Sequence, residues 1–253
     1  MGFFRQISPW HDIEPFTDNE MMIEAVIEIP QDNDNKFEVA TKEDWNMIKT
    51  DIKDGLLRKL AYKGDGNPDE KFEFKGMPFA YGMIPRTFED PQHKEKVKVS
   101  VIGESETTEV EVGGDEDPLD LYILADRHLD IGQHKCKVIG VYHFVDGDEI
   151  DYKIIAVDAE HKDVDSINEI EDLDKTADFK DAPAKILNWL KYYKSVDNEG
   201  NTLENPSKKY GKEINGRATN AAEAIKVIKE CRKSYDDIAK DKKMQAKDEY
   251  KKL

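Results

Sequence analysis

The sequence predicts an α+β domain. Apolar residues alternate at the strand period through about the first 160 residues, and segments with helical spacing follow them. The chain of 253 residues is long enough for one sizeable core. Strands first and helices afterwards mark α+β, because a parallel α/β sheet would interleave the two. Five to seven strands are expected in the first two thirds.

The first strand is MMIEAVIEIP, 21–30, with Ile23, Ala25, Ile27 and Ile29 on one face and Glu24, Val26 and Glu28 on the other. A polar turn, QDNDN, leads to KFEVA, 36–40, where Lys36 and Glu38 share a face. The two segments predict a hairpin with Glu28, Lys36 and Glu38 projecting to a common side. Residues 54–80 are turn-rich, with short strand candidates at 56–60 and 71–74. The stretch MPFAYGMIPRTFEDP, 77–91, carries Gly82 and three prolines and predicts an ordered loop. VKVSVIG, 97–103, is a strand, and EVGGDEDPLDLYILAD leads into another. CKVIGVYHFVD, 136–146, and DYKIIAVD, 151–158, predict a hairpin, with Asp151, Lys153 and Ile155 on one face. A short helix is expected at 166–173 and a longer one at 183–196, where Pro183 suits a first turn. From Asn220, the residues Ala221, Ala224, Ile225, Ile228, Cys231, Tyr235 and Ile238 recur at helical spacing, which predicts an amphipathic helix packed on the body.

Charge narrows the function. There are 38 basic and 55 acidic side chains, a net charge of −17. Nucleic acids and anionic membranes are bound through basic patches, so neither is an expected partner. An acidic surface serves solubility, and it also suits divalent cations. Cys136 and Cys231 form no Cys-x-x-Cys pair, so a reducing compartment is expected. The first residues lack the apolar run of a signal peptide, and no segment reaches membrane-span length, so the expectation is a soluble, cytoplasmic protein.

The segment GGDEDPLDLYIL, 113–124, concentrates the chemistry. Asp115 and Asp117 are two apart and would face the same way in extended chain; Pro118 bends it, and Asp120 opens the next strand. Such acids make either a hydrated turn or a site for a hard cation such as magnesium, which takes oxygen ligands. The residues alone leave both open. A calcium loop at DNDNKFEVATKE, 32–43, fails where Lys36 and Phe37 stand. No phosphate-binding glycine loop, dinucleotide fingerprint, His-Glu-x-x-His or Gly-x-Ser-x-Gly is present. His134 and Cys136 are a zinc half-site with no second pair. Lys36, Arg58, Lys153 and Lys194 read singly as surface charges, and Tyr81 and Tyr193 as core or rim aromatics. Their meaning depends on whether they converge with the acids.

Taken together, the motifs resemble the soluble family I inorganic pyrophosphatases of the eukaryote type. DEDPLDL resembles the family signature, VIEIP and KFEV its Glu and Lys-x-Glu strands, and AYGMIPRTFEDP its Tyr-Gly loop with the following Glu-Asp-Pro. DEIDYKIIAVD resembles the Asp-x-Lys strand, and WLKYYK the late Tyr-Lys pair. The resemblance covers about residues 11–200 in the right order. It implies an OB-like five-stranded β-barrel with additional strands and flanking helices. It also implies one domain over 1–253, with the barrel at about 21–160 and a helical part at about 161–253. The implied reaction is magnesium-dependent hydrolysis of pyrophosphate to two phosphates. Asp115, Asp120 and Asp151 would be the principal metal ligands, and Asp117 a ligand and the general base for the attacking water. Glu28, Glu38 and Asp146 would be further acidic members. Lys36, Arg58, Tyr81, Lys153, Tyr193 and Lys194 would hold the phosphates.

Two departures stand out. Glu116 replaces the small or polar residue of the signature, and by strand alternation it should point away from Asp115 and Asp117. Gln31 and Asp32 replace a basic–aromatic pair that helps form the family's dimer contact. A homodimer is implied, but its usual interface is in question at those two positions. The rival expectations are a non-catalytic cation-binding module and a phosphohydrolase acting on nucleotides or polyphosphate.

Overall fold

The structure is a computed structural model that describes residues 6–53, 55–60, 74, 76–101, 105–147, 149–192, 209–210 and 219–240. In chain order the strands are β1 (Met22–Ile29), β2 (Phe37–Val39), β3 (Ile48–Thr50), β4 (Ile52–Lys53), β5 (Leu56–Leu57), β6 (Ala80–Met83), β7 (Glu95–Val101) and β8 (Thr108–Gly114). They continue with β9 (Asp120–Leu124), β10 (Gly132–Tyr142), β11 (Phe144–Asp146), β12 (Glu149–Ile150), β13 (Lys153–Asp158), β14 (Lys209–Tyr210) and β15 (Thr219–Asn220). The helices are α1 (Ala182–Tyr192) and α2 (Ala221–Lys240).

Strand β1 pairs with β6, β6 with β9, β9 with β13, β13 with β10, and β10 returns to β1. This ring is closed, so its five strands leave no free edge among themselves. The β9–β13 pair is parallel and the other four are antiparallel. Strands β7, β8, β12, β11 and β14 pair in a second closed ring beside it. The α+β, OB-like expectation therefore holds.

Alternation along the ring strands sends neighbouring residues into different cores, as the two-residue period requires. Tyr122, Leu124, Ile155 and Val157 pack with Ile186, Trp189 and Leu190 of α1. Leu121, Ile123, Ile154 and Ala156 pack with Ala224, Ile225 and Ile228 of α2. Helix α2 starts where expected, because the Asn220 side chain accepts the Glu223 N–H at 2.9 Å and caps the first turn. Helix α1 also appears where expected and carries Pro183 in its first turn.

Four local expectations are corrected. Strands β1 and β2 do not form a hairpin; β2 pairs with β3, Phe37 opposite Thr50 and Val39 opposite Ile48. The exposed turn after β1 redirects the chain, while β1 is buried on both faces and takes two long-range partners. Residues 80–83, read as loop, are β6. Gly82 is what admits that strand, since a Cβ there would stand 1.9 Å from the Val26 carbonyl oxygen. The short helix expected at 166–173 is a 3-10 segment at Ile170–Lys175. Residues 115–118 are a turn, not extended chain: Glu116 takes φ +70° and Asp115 Oδ1 accepts the Asp117 N–H at 2.9 Å. Of the strand candidates, 56–60 contributes β5, and 71–73 lie outside the described residues.

Candidate active site

The mouth of the first ring opens into a cleft of about 730 Å³. Every proposed site residue within the described chain lines it. The carboxylates are Glu28, Glu38, Asp115, Asp117, Asp120, Asp146 and Asp151, and the other groups are Lys36, Arg58, Tyr81 and Lys153. Tyr193 and Lys194 lie outside the described residues.

Strand register assembles the centre. Asp120 opens β9 opposite Lys153 of parallel β13 and opposite Met83 of antiparallel β6. Asp151 stands two residues before Lys153, on the same face. The Lys153 ammonium, 3% exposed, donates to both Asp120 Oδ2 and Asp151 Oδ1, and lies 3.2 Å from the Tyr81 hydroxyl. Tyr81 donates its O–H to the same Asp120 oxygen. One buried cation thus screens two carboxylates. Burial pulls the Lys153 ammonium down, but Asp120 and Asp151 lift it well above the usual lysine range.

The remaining acids are less well compensated. Burial, then Asp120 and Asp151, push the Asp115 carboxyl up to about 8. Burial, then Asp120 and Glu38, push Asp117 up to about 6. Glu28 is raised well above the carboxylate range by burial and by Asp120. It also anchors the far wall, its Oε1 accepting the Val39 N–H at 2.6 Å. Positive charge arriving beside carboxyls crowded in this way favours release of their protons. The donor set is all oxygen, the kind that magnesium takes.

The opposite wall supplies cations. Lys36 donates to Glu38 and lies 3.4 Å from Asp51 Oδ2, which also accepts from Arg58 Nη1 at 2.9 Å. Backbone bonds knit this wall: Lys36 N–H to Arg58 O at 3.0 Å, and Asp51 N–H to Lys36 O at 2.9 Å. Asp51 is a site residue that sequence reading missed, because it belongs to no motif and meets Lys36 and Arg58 only through this fold. Thr41, also missed, places its Oγ1 3.4 Å from Asp117 Oδ1.

The acidic turn rests on a buried base. Glu89 N–H donates to Asp117 O at 3.0 Å, and Glu116 N–H donates to Glu89 O at 3.1 Å. A Cβ on Gly114 would stand 2.1 Å from the Glu89 carbonyl carbon, so the glycine before the acids lets these backbones meet. Glu89 is 3% exposed; its carboxyl is pushed well up by burial, Asp115 and Asp151, and its Oε2 has no hydrogen-bond partner. Its position in TFEDP was the only signal for it in the sequence. Glu116 points out and is exposed, as expected. The reason is its left-handed backbone in the turn and not strand alternation.

A family model described as inorganic pyrophosphatase matches residues 25–236. Soluble inorganic pyrophosphatase 6, chloroplastic, of Arabidopsis thaliana is 30% identical over 241 residues, covering 94% of this chain and 68% of that one. The inorganic pyrophosphatase of Bos taurus is 32% identical over 195 residues, covering 76% of this chain and 58% of that one. Among solved structures, inorganic pyrophosphatase from Schistosoma japonicum aligns with TM-score 0.74 and 26% identity over 92% of this chain and 72% of that one. An N-terminally truncated vacuolar soluble pyrophosphatase of Trypanosoma cruzi, in complex with PPi, aligns with TM-score 0.73 and 25% identity over 93% of this chain and 80% of that one. The matched span contains the first ring from Ala25 of β1 onward and all the cleft residues named above, and on these grounds the chain belongs to the inorganic pyrophosphatase family, a family of hydrolases.

Proposed function

We propose that this chain, acting as one domain, hydrolyses inorganic pyrophosphate to two phosphates with magnesium as its cation. The observation that carries the reading is the division of the cleft. Ten carboxylates of the described residues line it, on the acidic turn and on the walls around it, while Lys36, Arg58 and Lys153 offer cations to the same space. A lone polyanion would be repelled by the acids, and a lone cation would not need the lysines. A magnesium–pyrophosphate pair uses both. Family membership, and the PPi complex of the Trypanosoma cruzi relative, support the choice of anion.

Asp115, Asp120 and Asp151 would hold the cations, with Asp117, Glu28, Glu38 and Asp146 as further acidic members. The cations supply charge that neutralises the substrate and acidifies water. Lys153, now paired with Asp120 and Asp151 beside the Tyr81 hydroxyl, would offer its ammonium to a phosphate oxygen if cations took over those two carboxylates. Lys36 and Arg58 hold phosphate from the opposite wall, with Tyr193 and Lys194 assigned to the same task. Asp117 takes the proton from the attacking water. Its carboxyl, pushed up to about 6, is mostly ionised at neutral pH and still basic enough to accept a proton. Preorganised charge on the phosphates is the main source of rate in phosphoryl transfer.

A substrate panel tests the choice of anion. Purified protein in millimolar magnesium should release phosphate from pyrophosphate much faster than from a nucleoside triphosphate or tripolyphosphate. Faster release from a nucleotide would replace the reading with a broader phosphohydrolase.

A further inference from the structure

A second cluster of donor groups lies away from the cleft. Asp126 follows β9, His161 follows β13, and Asp178 precedes α1. Their donor atoms all lie within 4.8 Å of one another. Strands β9 and β13 run parallel, paired from Asp120–Lys153 to Leu124–Val157. The cleft takes the first residues of both strands, so the cluster sits at their other ends. At about 3.3 Å per residue, Asp126 is on the order of 20 Å from Asp120.

His161 is the informative member. It is 2% exposed, and its Nε2 is buried with no hydrogen-bond partner. Such a nitrogen is costly to leave unmet. It faces Asp178 Oδ2 at 3.5 Å and Asp126 Oδ2 at 3.7 Å. N–H···O hydrogen bonds run about 2.7–3.2 Å, so both separations are too long for one. They suit two donors of a single ion: metal–ligand bonds of about 2.0–2.1 Å in a tetrahedron set donors roughly 3.3 Å apart. The Phe179 ring, 4.7 Å from the imidazole centroid, helps fix its orientation. The Asp126 and Asp178 side chains are 40% and 36% exposed, which leaves water access for further coordination.

We propose that Asp126, His161 and Asp178 form a divalent-cation site separate from the catalytic cleft and selective for ions of the zinc and manganese class. Magnesium and calcium take oxygen donors, whereas an imidazole with carboxylates suits a transition ion. The bound ion ties the ends of β9 and β13 to the segment leading into α1. Two existing contacts must yield to it. Lys162 Nζ lies 2.9 Å from Asp178 Oδ2, but that lysine is 64% exposed, and exposed pairs of this kind are weak. His161 Nδ1 accepts the Asp163 N–H at 3.2 Å, the long end of the range. With an ion on Nε2, the ring hydrogen moves to Nδ1 and this contact opens. That move is a signature of binding in its own right.

The test uses the full chain with millimolar magnesium present throughout, to occupy the oxygen-lined cleft. Zinc is titrated calorimetrically into the native protein, into Asp126→Asn with Asp178→Asn, and into each single variant. The native chain should bind one more zinc ion than the double variant, and each single variant should bind that ion at least tenfold more weakly. Zinc should raise the melting temperature of the native chain more than that of the double variant. Nitrogen-15 spectra should show one histidine changing from the Nε2–H to the Nδ1–H form. His161→Gln removes a buried ring and can disturb packing, so the two exposed aspartates carry the test. Equal zinc stoichiometry in native and double variant overturns the proposal. None of these readouts involves pyrophosphate, so the site stands or falls apart from the catalytic reading.

Discussion

Asp117→Asn removes a base while keeping the shape of the side chain. Asp117 lines the cleft, its Oδ1 lies 3.4 Å from Thr41 Oγ1, and its backbone N–H is held by Asp115. Asparagine keeps an Oδ1 acceptor for Thr41 and the same backbone bond. The carboxyl it replaces is pushed up to about 6 by burial and by Asp120 and Glu38. At pH 7 such a group is roughly nine-tenths ionised, and bound cations would increase that fraction. Losing a positioned general base costs about 10²–10⁴-fold in turnover. At about 1.36 kcal/mol per tenfold, that is about 3–5 kcal/mol of barrier. The assay is initial phosphate release from pyrophosphate across the pH range, at magnesium concentrations that saturate each protein. Turnover should fall by that factor, and the acid limb of the native profile, at or below pH 6, should vanish. Turnover within about threefold of native, with the acid limb intact, would refute the assignment of Asp117 as base.

Lys153→Met leaves Asp120 and Asp151 without the buried ammonium between them, and breaking such a pair costs about 3–5 kcal/mol. Urea unfolding should show that loss without divalent cations and a smaller one in magnesium; equal losses would mean that cations and the ammonium do not serve the same carboxylates. Asp115 makes stability and pH interact. Its folded pKa, about 8, stands above the ordinary 3.8, so folding favours its protonated form. That contribution is full below 3.8 and is lost as pH rises through about 8. The melting-temperature gain from magnesium should therefore grow from pH 6 to pH 8, with protons released on binding; a gain independent of pH would count against Asp115 as a ligand. Gly82→Ala places a Cβ 1.9 Å from the Val26 carbonyl oxygen and should destabilise the ring by roughly 3 kcal/mol or more, read by urea unfolding.

Local pattern carried much of the architecture. The alternation in residues 21–30, 97–103 and 151–158 marks β1, β7 and β13, and the helical spacing after Asn220 marks α2. The antiparallel pairing of β10 with β13 was legible as a hairpin, but that of β1 was not, because its partners β6 and β10 lie far along the chain. Strand β6 was hidden by Gly82 and the flanking prolines, residues that ordinarily signal a loop. At the site, the Lys-x-Glu and Asp-x-Lys alternations set Lys36 with Glu38 and Asp151 with Lys153 on common faces, since the strand period is two, while the other lining groups followed only from the family resemblance. Asp51 stayed hidden because only the pairing within its wall brings it to Lys36 and Arg58, and Thr41 because its contact with Asp117 comes from one wall approaching another. The burial that raises Glu89 and Asp115 is a property of packing, and no spacing reports it. The same holds for Asp126, His161 and Asp178, which three separate turns bring together.

The central claim is that the acidic turn and the cations around it form one cation-dependent hydrolytic site. The most direct measurement is steady-state phosphate release from pyrophosphate by the purified chain at neutral pH, in millimolar magnesium and again after chelation. Sustained release that stops on chelation and returns when magnesium is restored is the predicted result. Magnesium binding with no release of phosphate would contradict the account and make the cleft a cation-binding surface without catalysis.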